Sequence, residues 1–283
     1  MSIHQKVPCI YIIACTVLLP ACSRIVFYPN RHTYTTPEQL GLAYEEVYIN
    51  TEDNERLHGW FLLTTHKAQG TVFYLHGNAQ NISAHINNVS WLPAQGYQVF
   101  LLDYRGYGDS SGTPTIEGAL KDIQSGFEWL SPQLRVQKLP LYLLGQSLGA
   151  SLGGYFVATQ PHVKESLNGV ILDAGFANLR TIAREKLRTC WLTWPLHYPL
   201  SILFTNKYNL DKVIHSLSPI PLLIIHSDDD NVIPASHGRT LYELADEPKY
   251  YMHTTGPHIS TFMINDNREQ VTEFMKHASR LSD

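Results

Sequence analysis

The side chains that could do chemistry fall in four short stretches of the chain. LYLLGQSLGAS (141–151) holds Ser147 in a G-x-S-x-G pattern that closes an apolar run and opens a segment rich in small residues, Gly149, Ala150, Gly153 and Gly154. That order predicts a sharp strand-to-helix turn exposing a serine hydroxyl, with the flanking glycines removing Cβ atoms that would clash there. A serine hydroxyl is a weak nucleophile until a base takes its proton, and the base needs a carboxylate to fix its tautomer and stabilise the imidazolium. TTGPHIS (254–260) offers His258 in a loop after the last apolar run, where His226, His237 and His253 are more readily strand or helix residues. HSDDDNVIP (226–234) offers three adjacent carboxylates, and a row of acids is ordinarily a solvated loop. The Leu148 N–H would open a helix, where it has no intrahelical acceptor and the helix dipole favours negative charge, so it can form half of an oxyanion hole. The other half must come from a loop after an earlier strand. In YLHGNAQ (74–80) the Asn78 N–H is the candidate, with Ala79 next; such a donor contributes ~3 kcal/mol to lowering the barrier.

The elements that must position these residues are legible as alternating runs. VYINT and LHGWFLL, from residue 47 to 63, alternate apolar with polar residues, like an antiparallel edge pair exposed on one face. Near-continuous apolar runs at 71–77, 97–103, 141–147, 169–175, 221–227 and 249–255 predict parallel strands buried on both faces. Between them, 81–94, 115–130, 148–159, 235–245 and 267–281 have crossover-helix character, which gives an α/β class with a mostly parallel central sheet covered by helices on both faces. In such sheets ligands bind outside the carboxyl ends of the strands, where all four stretches fall. The connection 176–218, containing CWLTWPLHYPLSILF (190–204), is too long for a simple crossover and is expected to be a short helical lid insertion.

LHGNAQNIS, DYRGYGDSSG, GQSLGAS, HSDDDNVIP and GPH, in that order, resemble the α/β-hydrolase superfamily, over roughly residues 40 to 280. The branch they are most similar to is that of small membrane-associated serine hydrolases, serine-aminopeptidase-like or abhydrolase-domain proteins. The resemblance implies the α/β-hydrolase fold and a Ser, Asp, His triad in chain order. Its H-G-x-x-D-x-x-V-P pattern falls on 226–234 and selects Asp230 as the acid, leaving Asp228 and Asp229 as solvent-facing or loop-capping residues. Asp173 is the rival, because some members carry the acid one strand earlier. Ser227 and Pro257 stand where the family more often has glycine or another small residue. DYRGYGDSSG reads as structural, with Asp103 and Arg105 tying the strand-end loop together and Tyr107 a candidate for shaping the pocket.

Composition narrows the function classes. With 44% hydrophobic and 16% charged residues, a net charge of −4 and no Lys/Arg-rich segment, the chain has a substantial core and no field for nucleic acid. Three of its four cysteines lie in the first 22 residues, so the body holds no disulfide framework or Cys-based metal site, and Cys190 is expected to be a small buried hydrophobe. No metal or cofactor is expected. The apolar, uncharged run Val7–Ala21 makes residues 1–21 a signal peptide, and it is too short and proline-broken for a spanning helix. LPAC (19–22) is similar to a bacterial lipobox with Cys22 as the acylated residue; IIAC (12–15) fits less well, ordinary cleavage or an uncleaved signal anchor is the alternative, and Ser23 after the cysteine resembles outer-membrane lipoproteins. The expected organisation is signal peptide 1–21, anchor or linker 22–40 and a single α/β-hydrolase domain 41–283. The expected location is the bacterial cell envelope, on the periplasmic side of the outer membrane through the lipid anchor. The expected activity is that of a serine hydrolase on a small-molecule or acylated ester or thioester, with a peptidase or a non-catalytic envelope binding protein as alternatives.

Overall fold

The computed structural model describes residues 27–189 and 194–281; the expected signal peptide, Cys22 and Cys190 lie outside the described residues. Strands β1 (Tyr28–Pro29), β2 (Tyr44–Asn50), β3 (Arg56–Leu62), β4 (Gly70–Leu75), β5 (Ala79–Gln80), β6 (Tyr97–Leu102), β7 (Leu141–Gln146), β8 (Gly169–Asp173), β9 (Leu222–Ser227) and β10 (Lys249–Thr254) form two sheets. The main sheet has the order β10-β9-β8-β7-β4-β6-β3-β2, and β1 pairs separately with β5. From β10 to β6 every pairing is parallel, while β3 runs antiparallel to both β6 and β2. Successive strand residues point to opposite faces, so Phe73 and Leu75 join one core while Val72 and Tyr74 join the other. The first core is covered by α1 (Ile116–Leu130), capped by the Thr115 hydroxyl on the Gly118 N–H, and by α2 (Leu148–Thr159). In the same core sit apolar residues of α3 (Leu179–Thr189), a buried Ser201 closes the short α4 (His197–Ser201), and Leu241 comes from α5 (Ser236–Leu244). The second core is closed by α6 (Asn265–Leu281) through Val271, Phe274 and Met275.

Three elements depart from the sequence expectation, each for a reason of pairing or side-chain demand. β3 is buried at every residue but Arg56 rather than exposed on one face, because it lies between β2 and β6 and feeds both cores, with Leu57 and Phe61 in one and Trp60 and Leu62 in the other. β10 is an edge strand with an alternating, partly exposed pattern, not a doubly buried one. Segment 81–94 is a single α-helical turn, Ile82–His85, followed by 3-10 turns. There the Asn88 amide turns inward to the Gln146 side chain at 2.8 Å, and Pro93 starts a new turn.

From Phe27 onward, residues expected as linker are part of the folded body. Phe27 is 2% exposed in the first core, edge-on to the Tyr107 ring at 6.4 Å. The Tyr28 N–H donates to the Asn78 carbonyl at 3.2 Å, and the Asn81 amide donates to the carbonyls of Asn30 and His32 at 2.8 and 2.9 Å. Phe27→Ala is therefore expected to lower unfolding free energy by about 3 kcal/mol, measured by urea denaturation, whereas truncating the 82% exposed Leu134 to Ala leaves it unchanged.

Candidate active site

Ser147 sits between β7 and α2 with φ 53° and ψ −114°, a positive-φ backbone conformation that residues other than glycine rarely adopt. The surroundings impose it. A Cβ at Gly145 would overlap the Gly149 carbonyl and the Ala150 backbone, and one at Gly149 would overlap the carbonyl oxygens of Leu75 and His76. The helix thus starts hard against the end of β4, and the Ser147 N–H is held by the Asp173 carbonyl at 2.8 Å.

The structure brings Ser147, His258 and Asp230 together from three strand ends. The Ser147 Oγ is 2.9 Å from His258 Nε2, and His258 Nδ1 is 2.7 Å from Asp230 Oδ2. The other Asp230 oxygen accepts the N–H groups of Val232 and Ile233, both at 2.8 Å. Burial alone would raise the Asp230 pKa, but the His258 bond and the Ile233 and Val232 amides outweigh it and hold the carboxyl below its usual range. The neighbouring acids do different work. Asp228 is exposed beside Arg239 and His253, at 3.2 and 3.6 Å. Asp229 accepts the Gly256 N–H at 3.1 Å, and the Ser227 hydroxyl donates to the Gly256 carbonyl at 2.6 Å, so both pin the loop that carries His258.

The rival residues are otherwise engaged. His226 is buried, 2.9 Å from the Ile233 carbonyl; His237 Nδ1 accepts the Ala177 N–H and its Nε2 meets Glu185 at 3.0 Å. Asp173 is buried behind the serine and accepts from the Gln146 amide at 2.7 Å and the Thr261 hydroxyl at 2.8 Å, with no bond to His258.

Against this geometry, residues 66–217 match the model of the family described as serine aminopeptidase, S33. The chain belongs to this family. The S33 match contains Asn78, Ser147 and Leu148 and ends before Asp230 and His258. The Escherichia coli protein YfhR, itself uncharacterised, is 34% identical with 98% of each chain aligned. A lysophosphatidylserine lipase of Danio rerio is 29% identical across 67% of this chain and 51% of its own. An esterase of Pyrococcus furiosus superposes with TM-score 0.73 at 24% identity, covering 90% of this chain and 98% of its own, and shares the fold. By family and fold the protein is an α/β hydrolase.

In this S33 chain a cavity of about 520 Å³ opens onto Ser147. Asn78 and Leu148 border it, while Ala79 is engaged in the β1–β5 ladder. The Asn78 loop is braced from behind by residues of DYRGYGDSSG. The Tyr107 hydroxyl donates to the Asn78 carbonyl at 2.6 Å, the Tyr104 hydroxyl to the His76 carbonyl at 3.1 Å, and Asp103 accepts the Ile82 N–H at 2.9 Å. Arg105 instead ties its loop to Asp122 at 2.8 Å and Asp53 at 3.0 Å. Sequence reasoning missed two parts of the site. Tyr28, which lines the cavity, lies in a two-residue strand with no periodicity to betray it; Gln146 links Asp173 to the Tyr74 hydroxyl and the Asn88 amide, and only its place inside G-x-S-x-G marks it.

Asp173 also has an energetic consequence. Burial raises its pKa to about 6, against lowering by Gln146 and Thr261, and no cation bonds to it among the described residues. Because the folded value lies above the unfolded one, this group favours the fold below about pH 4 and loses that contribution as pH rises through about 6. In Asp173→Asn the amide oxygen still accepts from Gln146 and its N–H₂ can donate to Thr261. The variant should therefore gain on the wild type, by on the order of 3 kcal/mol, between pH 4 and pH 7 in urea unfolding; a pH-independent difference would refute the assignment.

Proposed function

We propose that the protein is a serine hydrolase that cleaves an acyl ester or thioester through an acyl-enzyme. The observation that carries this reading is the unbroken relay from the Ser147 hydroxyl through His258 to Asp230. The Ser147 Oγ attacks the acyl carbonyl carbon as its proton passes to His258 Nε2. Asp230 fixes the His258 tautomer and faces the imidazolium that forms. The oxyanion is met by the N–H groups of Leu148 and Asn78. Collapse expels the alcohol or thiol, which takes the proton from His258. Water then repeats the sequence and frees the acid.

An acyl chain fits the apolar wall beside Ser147, built from Phe176, Leu179, Ile182, Ala183 and Phe204, and this wall is the reason to read part of 176–218 as a lid. A lysophosphatidylserine lipase among the relatives is in keeping with that choice. The aminopeptidase in the family's description favours a second reading, amide hydrolysis at a free amino terminus. Such a substrate carries an ammonium group, and the described lining holds no carboxylate to receive it, its charged member being Lys186. We further propose that Cys22 is acylated and anchors the domain to the bacterial envelope, at the periplasmic side of the outer membrane, on the strength of LPAC followed by Ser23.

Three measurements test these readings. A fluorophosphonate probe is expected to label the native protein and not Ser147→Ala; Asp230→Asn is expected to lower kcat on the order of 10³-fold or more, and Asp228→Asn within about twofold. Equal labelling of Ser147→Ala, or the reverse order of the aspartates, contradicts the mechanism. Metabolic palmitate labelling is expected to vanish in Cys22→Ala, and undiminished incorporation would exclude the anchor.

A further inference from the structure

The insertion that walls the cavity has a second side. On α3, Leu179, Ile182, Ala183 and Lys186 follow helical spacing and line the cavity. The neighbouring face carries Arg180, which donates to the Phe204 carbonyl at 3.1 Å, and Arg184, whose guanidinium lies 4.1 Å from the centre of the Tyr198 ring. Helix α4 therefore packs against α3, and Phe204 just after it lines the cavity. It leaves Trp194, Leu196, Tyr198, Ile202 and Leu203 between 48 and 62% exposed. Five large apolar or aromatic side chains within ten residues form a patch rather than the scattered exposure ordinary on a protein surface.

Two observations identify what covers it. The first is charge: in a chain of net charge −4, residues 179–207 carry Arg180, Arg184, Lys186, Arg188 and Lys207 against the single acid Glu185. An aromatic and aliphatic patch flanked by basic side chains matches the interface of an anionic bilayer, where indole and phenol rings sit at headgroup level and cations meet lipid phosphates. The second is where the chain enters the body: Tyr28 lines the same cavity as α3, and Cys22, the residue proposed above to carry lipid, precedes it by six residues in the sequence. The proposed lipid and the patch are thus each joined in sequence to a segment that lines this cavity.

We propose that residues 194–203 are a docking surface for an anionic lipid bilayer, seating the mouth of the Ser147 cavity against the membrane. This contact is additional to any lipid at Cys22 and does not depend on Ser147 being the nucleophile. It shortens the path of an acyl chain from the bilayer to the cavity and gives the insertion a function besides covering the site.

Tryptophan fluorescence separates this contact from the tether, because none of the first 26 residues is tryptophan while Trp194 lies in the patch. The full chain is reconstituted into vesicles of phosphatidylglycerol with brominated acyl chains. The expected result is quenching that falls at least twofold in the Ile202→Asp, Leu203→Asp double variant and is weaker in brominated phosphatidylcholine. Neither substituted residue lines the cavity, and an unchanged thermal midpoint in solution establishes that the variant is folded. Should it not fold, Trp194→Phe replaces it, and quenching must again drop. Equal quenching in wild type and variant, or none in wild type, overturns the proposal. So does a dimer in light scattering that the substitutions disperse without any lipid quenching, which would assign the face to a second copy of the chain.

Discussion

The constraint on which the site depends is the lack of space between two backbones. Gly149 lies so close to the carbonyls of Leu75 and His76 that no side chain fits, and Gly145 lies as close to Gly149 and Ala150. Helix α2 can begin there only if the chain turns within one residue, and that residue is Ser147, held at φ 53°. The strain at this one position is maintained by packing on every side. The contact also fixes the distance between the turn and the loop after β4. Ser147, the Leu148 N–H and Asn78 are therefore related by main chain, which moves less than side chains do.

Around that turn, polar groups divide the work of holding loops from the work proposed for chemistry. Gln146 and Asp173 join the end of β7 to Tyr74, Asn88 and Thr261, and Thr261 lies just beyond the His258 loop. Asp229 and Ser227 hold Gly256 at the other end of the same loop. Asp230 is then free to face His258, with its second oxygen spent on two backbone amides. Three consecutive aspartates thus have three environments: solvent with arginine, a loop amide, and a buried imidazole. A charge run in sequence becomes three separate roles because a turn following a buried strand sends successive side chains in different directions.

Much of this was legible in the sequence, for identifiable reasons. Strands buried on both faces announce themselves as apolar runs, and the turn at Ser147 by glycines that cannot be larger. Asp230 was reached only through resemblance, since spacing alone did not separate it from its neighbours. What stayed hidden depends on distant partners. Whether a strand is central or at the edge depends on sheet order, so β3 and β10 exchanged their expected burial. Tyr107 is 29 residues from the carbonyl it holds and Thr261 is 88 from Asp173, separations that leave no local periodicity. Phe27 and Tyr28 looked like linker because two residues make no pattern, yet they brace and line the cavity.

In the proposed reaction the Ser147 hydroxyl carries the acyl group between the two halves. The most direct test is mass spectrometry of protein mixed with a p-nitrophenyl acyl ester, quenched in acid before deacylation is complete, and digested. One acyl increment per chain is expected, on the peptide containing Ser147. Ester turnover with no covalent increment, or with the increment on another residue, would contradict this mechanism.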